Sequence, residues 1–432
     1  MARRVNEPSS ESPKAATKSL SRQWLTKFFP LGPEANAASL SAWRSDWVTA
    51  WATAIAFMVA AAHWPGFAAP HLAAGWILLS AALPLALMRL WQVPAVTTVA
   101  GPARMFAWPG LHWRKIGAPF LVFAWAGALW SPAPGTTLME AWHWTLLGCA
   151  FALGASLPSI RAPLSSFAAA IAISGFLALM QSTGWVAMRT LDGYPAGLFV
   201  NKNYMAEAAA AALAACLALA SHDKRAWLLV PGLVLALGLG QSRTALAATG
   251  VCGCFWLLRR QKWAALAVAA AIAAALVPSV PRIAVDTTVQ QRLEMWELAA
   301  RALTFWGHGA GSYWAMFPLI GSEAGLAIWN FRQQPHHPHN EILALAFELG
   351  FMALLPLSIL LSALCRGFAK GAEDEAAFLA LLAVAVVALG AFPFRNPATG
   401  FVAALCAGYL CRPRPVPGGV AGLGRGRIQA RA

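Results

Sequence analysis

Long apolar stretches recur from about residue 46 to residue 411, and that repetition constrains this chain more than any other feature. The runs are roughly 15–23 residues long, enough or nearly enough for a helix to cross about 30 Å of hydrocarbon. Only 11% of the 432 residues are charged, against about 25% in soluble domains. The period-two alternation of a membrane barrel strand does not occur. The pattern predicts an all-α, polytopic membrane protein. Twelve spans are expected, near 46–62, 70–90, 116–131, 138–157, 163–181, 203–220, 226–240, 244–258, 263–280, 341–364, 376–392 and 399–411.

Lysine and arginine set the orientation, because they accumulate on the cytoplasmic side of a membrane. With both termini inside, 24 of the 32 Lys and Arg residues fall on the cytoplasmic side. The other eight are Arg189, Lys202, Arg243, Arg282, Arg292, Arg301, Arg332 and Arg395. The net charge of +15 then needs no nucleic acid to explain it; the excess faces anionic lipid headgroups. The first apolar run has no small-residue cleavage pattern, so no cleavable signal peptide is expected. All seven cysteines lie in or at the ends of expected spans, which implies no disulfide framework. Cys252 and Cys254 are two apart and point to different faces of a helix, so they read as packing rather than as a metal fragment.

Residues 1–45 form a polar, basic cytoplasmic tail, within which 19–29 has the composition of a basic amphipathic helix for the inner leaflet. Residues 412–432 form a second tail, leaving 46–411 as the membrane domain. Most connections are short. The exception outside is a loop from about 281 to 340, and a connection of that length in a bundle is usually functional. Inside it, Val289 to Phe305 reads as an amphipathic helix with Leu293, Trp296, Ala300 and Leu303 at helical spacing. Gly307, Gly309 and Gly311 then interrupt the chain. The loop ends in Pro335-His336-His337-Pro338-His339-Asn340-Glu341, which puts three titratable imidazoles at a membrane boundary.

The unusual polar residues collect on the outer side. They are Arg189; Asn201, Lys202 and Asn203; Gln241, Ser242, Arg243 and Thr244; Arg292 and Arg332; the histidines with Asn340; and Arg395 with Asn396. Several arginines near apolar helix ends with few acids outside make an anion site. Each buried Arg in a span costs on the order of 2.5–3.5 kcal/mol, a cost that a bound polyanion offsets. There is no ATP outside the inner membrane, so a transferase there needs a substrate already activated on a lipid. A lipid-linked diphosphate sugar fits: its diphosphate is both a leaving group and a polyanion, and arginine binds phosphate oxygens bidentately. The acceptor hydroxyl needs a base, and histidine has a suitable pKa. Simpler readings stand beside these. Arg243 as a snorkelling cation, Asn201 and Asn203 as helix caps, and His339 as a structural or metal-binding residue all fit the same positions.

Four segments in order resemble the O-antigen ligase superfamily, which includes related polysaccharide polymerases and O-linked oligosaccharyltransferases. They are Gly197-Leu-Phe-Val-Asn201-Lys-Asn203; Ser242-Arg243-Thr244-Ala245-Leu246; Arg292-x₃-Trp296 followed by Trp306-Gly307-His-Gly309-Ala-Gly311; and His339-Asn340, nine residues, then Gly350-Phe-Met-Ala353. The last position is Ala353 where the family has Gly, Thr or Tyr. The resemblance covers about 185–400. It implies metal-independent and cofactor-free transfer of a glycan from undecaprenyl diphosphate to an acceptor hydroxyl, at the periplasmic face of the bacterial inner membrane. His339 and Arg243 would be catalytic. Arg189 would be a further diphosphate ligand, and the reading of the outer polar residues adds Asn201, Asn203, Arg332, His337, Asn340 and Arg395 as expected substrate contacts. The acceptor would be a lipid A core sugar for a ligase, another lipid-linked repeat for a polymerase, or a protein Ser or Thr for an oligosaccharyltransferase. The absence of an additional C-terminal domain favours the first two. A non-enzymatic transporter of lipid-linked glycans is the rival from another class, and it would place charges through the midplane and show inverted repeats.

Overall fold

Alanine dominates Ala206 to Ala220, and that stretch becomes the helix the others gather around. A computed structural model describes residues 48–59, 113–187, 190, 193–264, 287–323, 337–367 and 371–412. Arg189, Arg332, His336, the spans expected near 70–90 and 263–280, and the tails before 46 and after 412 lie outside those residues. Among the described residues all regular structure is helical. The helices are α1 (Val48–Val59), α2 (Trp113–Ala126), α3 (Pro134–Ser156), α4 (Arg161–Ser182), α5 (Lys202–Ala220), α6 (Val230–Gly240) and α7 (Arg243–Leu258). After them come α8 (Thr287–Arg301), α9 (Tyr313–Glu323), α10 (Glu341–Leu349), α11 (Leu354–Gly367), α12 (Ala372–Val387) and α13 (Pro397–Cys411).

Three stretches among the described residues are long and apolar enough to cross a membrane: α4, α5 and the run Glu341–Gly367. Val48–Val59, Gly117–Leu129, Arg243–Leu258 and Pro397–Cys411 are shorter apolar helices. α5 is buried on nearly every side, as expected for a helix without a polar face. It packs on α4, α6, α7 and α12, while α3 packs on α2 and α13. Small residues let backbones approach. A Cβ on Gly175 would stand 1.9 Å from the Gly232 carbonyl oxygen, and one on Gly154 would stand 2.0 Å from that of Leu405.

The helices run between two ends. At one, Arg260 of the α7 terminus donates to both carboxylate oxygens of Glu375 (2.9 and 3.1 Å) and to Ser221 (3.2 Å). Arg161 pairs with Asp223 there. Glu373 accepts from the Ser159 hydroxyl, the Ile160 amide and the Tyr409 hydroxyl. α3, α5, α7 and α13 finish at this Arg260 end, and they begin at the opposite, His339 end, together with α10.

The structure changes two expectations. The span expected at 341–364 is not one helix. It breaks at Gly350 (φ +55°) into α10, a 3₁₀ turn over Gly350–Ala353, and α11. The long loop fills the break: the His308 amide donates to the Phe347 carbonyl (3.1 Å), Gly309 to Glu348 (2.9 Å), and Phe351 to Phe305 (2.9 Å). Helix carbonyls released at a break need such partners away from water. The contact is close enough that a Cβ on Gly350 would lie 2.5 Å from the Gly307 amide, and one on Gly307 2.5 Å from that of Gly350.

The second change is the buried face of α8. Leu293 and Leu303 are exposed, and the helix buries Met295, Leu298 and Ala299 instead. With Tyr313, Phe317 and Phe347 these form a small second core that lays α8 and α9 over α10. Positions 295, 298, 299 and 302 have the same helical spacing as the expected stripe, so periodicity alone could not choose between the two faces.

Candidate functional site

Among the described residues, four helices open at the His339 end with a polar cap. Asn201 accepts from the Asn203 amide (2.8 Å), Ser242 from Ala245 (3.5 Å), Asn340 from Leu343 (3.0 Å) and Asn396 from Ala398 (3.1 Å). Each cap satisfies one orphan amide and leaves the positive end of its helix at this end of the bundle.

Close contacts join these openings. The α-carbon of Gly240, just before the Ser242 cap, packs on the Lys202 carbonyl and Ala206 at the start of α5. Gly390, after α12, packs on Thr244 of α7. The Arg292 guanidinium of α8 donates to the Gly390 carbonyl (3.4 Å). Phe392 meets Tyr204 of α5 edge-on at 5.9 Å, and its ring also carries His337 (4.7 Å) and His339 (5.3 Å). The structure therefore brings Asn201, Asn203, Arg243, His337, His339 and Asn340 into one region, roofed by α8. Arg243 and Asn203 are exposed there, and His337, His339 and Arg292 are partly buried.

His339 is held in a left-handed backbone conformation (φ +53°), which costs a non-glycine residue about 1–3 kcal/mol and persists only where surroundings enforce it. The enforcement is visible on both sides. The Pro338 carbonyl accepts from the Trp296 indole of α8 (2.6 Å). The Glu341 amide donates to Ala388 at the end of α12 (2.9 Å). Burial, with the positive Arg292 beside it, draws the His339 imidazole down from its ordinary 6.5 to about 4. The ring is thus neutral at physiological pH and has a lone pair for a proton.

Arg395, expected among the substrate contacts, is buried and gives its guanidinium to carboxylates. Its Nη2 lies 2.6 Å from Glu348, its Nε 3.2 Å from Glu341 and its Nη1 3.5 Å from Glu140. Arg292 was visible in the sequence as an outer cation and as the start of the Arg292-x₃-Trp296 segment, and the structure sets it electrostatically beside His339. Trp296 was visible as part of the Arg292-x₃-Trp296 segment, while Phe392 gave no sequence signal beyond aromatic composition. Glu140 and Glu348 did: an ionisable residue inside an apolar stretch is a functional hypothesis by default.

An apolar cavity of about 510 Å³ lies between α2, α3, α11 and α13, lined by residues that include Leu121, Trp144, Gly148, Leu345, Phe394 and Ala404. Leu345 belongs to α10 and Phe394 to the segment carrying Arg395, so the cavity adjoins the carboxylate cluster.

A bundle of apolar helices, with three stretches among the described residues long enough to cross a membrane, is the architecture of a membrane protein. The model of a family described as O-Antigen ligase matches residues 209–358. The matched stretch runs from α5 into α11 and takes in Arg243, the roof helices and the His339–Asn340 corner. It supports the O-antigen ligase-like superfamily and, in general terms, a role in O-antigen ligase-type glycosyl transfer. Among curated proteins the chain finds no match.

Proposed function

We propose that this protein transfers a glycan from an undecaprenyl-diphosphate donor to an acceptor hydroxyl at the periplasmic face of the bacterial inner membrane, without a metal or cofactor. In this reading the chain crosses the membrane twelve times, both termini are cytoplasmic and the His339 end faces out. The 24 Lys and Arg residues assigned to the other side support that orientation. The observation that carries the reading is the meeting of Arg243, Arg292 and the openings of α5, α7 and α10 around a neutral, conformationally fixed histidine.

The chemistry follows from that arrangement. The acceptor oxygen attacks the anomeric carbon of the donor sugar, and the bond from that carbon to the diphosphate oxygen breaks. The proton of the acceptor hydroxyl passes to the His339 imidazole. Undecaprenyl diphosphate leaves, and its growing negative charge is met by Arg243 and by the positive helix ends, which need no reorganisation at that moment. Asn203, His337 and Asn340 line the approach to this point. Asn201 acts through the cap it gives α5. Arg189 and Arg332 belong to the same proposal as further ligands of the diphosphate. The apolar cavity takes part of the isoprenoid chain, since it offers that chain a concave apolar surface beside the carboxylate cluster. The acceptor is a lipid A core sugar or a second lipid-linked repeat.

The test uses purified protein in nanodiscs with EDTA present, undecaprenyl-diphosphate-linked glycan as donor, and the two acceptors offered separately. Product on one acceptor, lost in His339→Ala, supports the reading and chooses between ligase and polymerase. No product on either, with donor shown to bind, moves the assignment to a protein acceptor or to transport.

A further inference from the structure

Arg395 lies in the short segment between α12 and α13, with a side chain only 4% exposed. Three carboxylates from two other helices surround it: Glu140 of α3, and Glu341 and Glu348 of α10. Glu348 also accepts from the Gly311 amide of the long loop (2.7 Å). One cation therefore ties α3, α10, the loop and the α12–α13 segment together. Three acids around one arginine make this spot unwelcoming to a diphosphate, because like charges in a poorly screened interior repel strongly.

What Arg395 does reach is the frame of His339. Its carboxylate partner Glu341 is the first residue of α10, two positions after the histidine, and the Glu341 amide is the one that donates to Ala388. The Arg395 amide donates to the Phe392 carbonyl (3.1 Å), and Phe392 carries the ring on which His337 and His339 rest. The same segment is fixed from α3, where His143 Nε2 hydrogen-bonds with the Phe394 carbonyl (2.8 Å).

We propose that Arg395 is a positioning residue for His339: paired with Glu341 and Glu348, it fixes the first turn of α10 and the Phe392 ring, and so holds the imidazole in its left-handed setting. The role in catalysis rests on the glycan-transfer reading above, while the anchoring rests on the geometry alone.

The experiment takes the full chain in nanodiscs and compares Arg395→Gln and Glu341→Gln with the unsubstituted protein. It reads kcat, the KM for undecaprenyl-diphosphate-linked glycan, and amide hydrogen exchange. Misplacing a reacting group by about 1 Å can cost on the order of 10²-fold in rate. Arg395→Gln is accordingly expected to lower kcat by about 30–100-fold with donor KM nearly unchanged, and Glu341→Gln by about 5–10-fold in the same way. In both, the amides of 337–349 exchange faster while those of α5 and α7 keep their protection. A raised donor KM with kcat intact would show that the guanidinium touches the donor itself, and would overturn the proposal. So would a fall in kcat with exchange of 337–349 unchanged. If Arg395→Gln loses protection throughout, Glu341→Gln decides, because it leaves the Glu348 and Glu140 partners in place. If the unsubstituted protein transfers no glycan, the functional reading fails, and the exchange of 337–349 still decides whether Arg395 is the anchor.

Discussion

The two ends of the bundle use arginine in opposite ways. At the Arg260 end, cations at helix termini meet acids on neighbouring helices: Arg260 with Glu375, Arg161 with Asp223, Arg412 with Asp374. At the His339 end the acids Glu140, Glu341 and Glu348 are gathered in the interior around Arg395, and Arg243 and Arg292 stand with the helix openings near a neutral histidine. The first arrangement joins helices. The second gathers three carboxylates on one buried arginine and leaves Arg243 and Arg292 with the helix openings. A count of Lys and Arg separates the two ends only in number; their partners separate them in use.

That comparison can be broken by experiment. The largest effect is expected from His339→Ala, which removes the proposed base and should lower kcat by about 10²–10⁴-fold while donor binding persists. Steady-state kinetics with a separate donor-binding measurement check this. Next is the pair Arg243→Ala and Arg260→Ala. Losing a charge that stabilises the leaving group costs about 10²–10³ in rate, so Arg243→Ala should fall in that range with little change in thermal stability. Arg260→Ala should leave the rate within about threefold and lower stability by about 1–3 kcal/mol, because the buried Glu375 carboxylate loses its partner. Equal rate losses in the two variants would erase the contrast between the ends.

Two smaller effects sharpen it. The neutral, proton-accepting form of His339 predominates above about pH 4, so the acid limb of kcat/KM should lie near that value rather than near 6.5. Arg292→Ala removes the lesser of the two causes and should move that limb upward, toward 6.5 but short of it. A limb that stays in place would separate Arg292 from His339. Smallest is the cavity: Ala404→Leu narrows it and should raise donor KM by about 3–10-fold with kcat held, the size expected for a methylene or two of misfit.

Much of the fold was legible because bilayer physics writes itself into a sequence. Long apolar runs forecast helices, and the structure has helices throughout its described residues. Asn201, Ser242 and Asn340 were visible as polar residues at helix openings, and they do cap α5, α7 and α10. The break at Gly350 was not legible. A single glycine in an apolar run does not announce that a loop more than forty residues earlier will supply the missing backbone partners. The buried face of α8 was not legible for a related reason: two stripes of the same period lie on that helix, and the choice between them depends on Tyr313, Phe317 and Phe347.

Sequence alone thus determined the helical class and the polar residues that open the helices, because solvation free energy acts on each segment independently of its neighbours. The tertiary structure decided which of those residues work together. It turned Arg395 from one outer cation among several into the partner of three carboxylates, placed Arg292 and Phe392 beside His339, and fixed that histidine in a backbone conformation it would not choose in isolation. Those properties belong to contacts between segments far apart in the chain, and local periodicity carries no record of them.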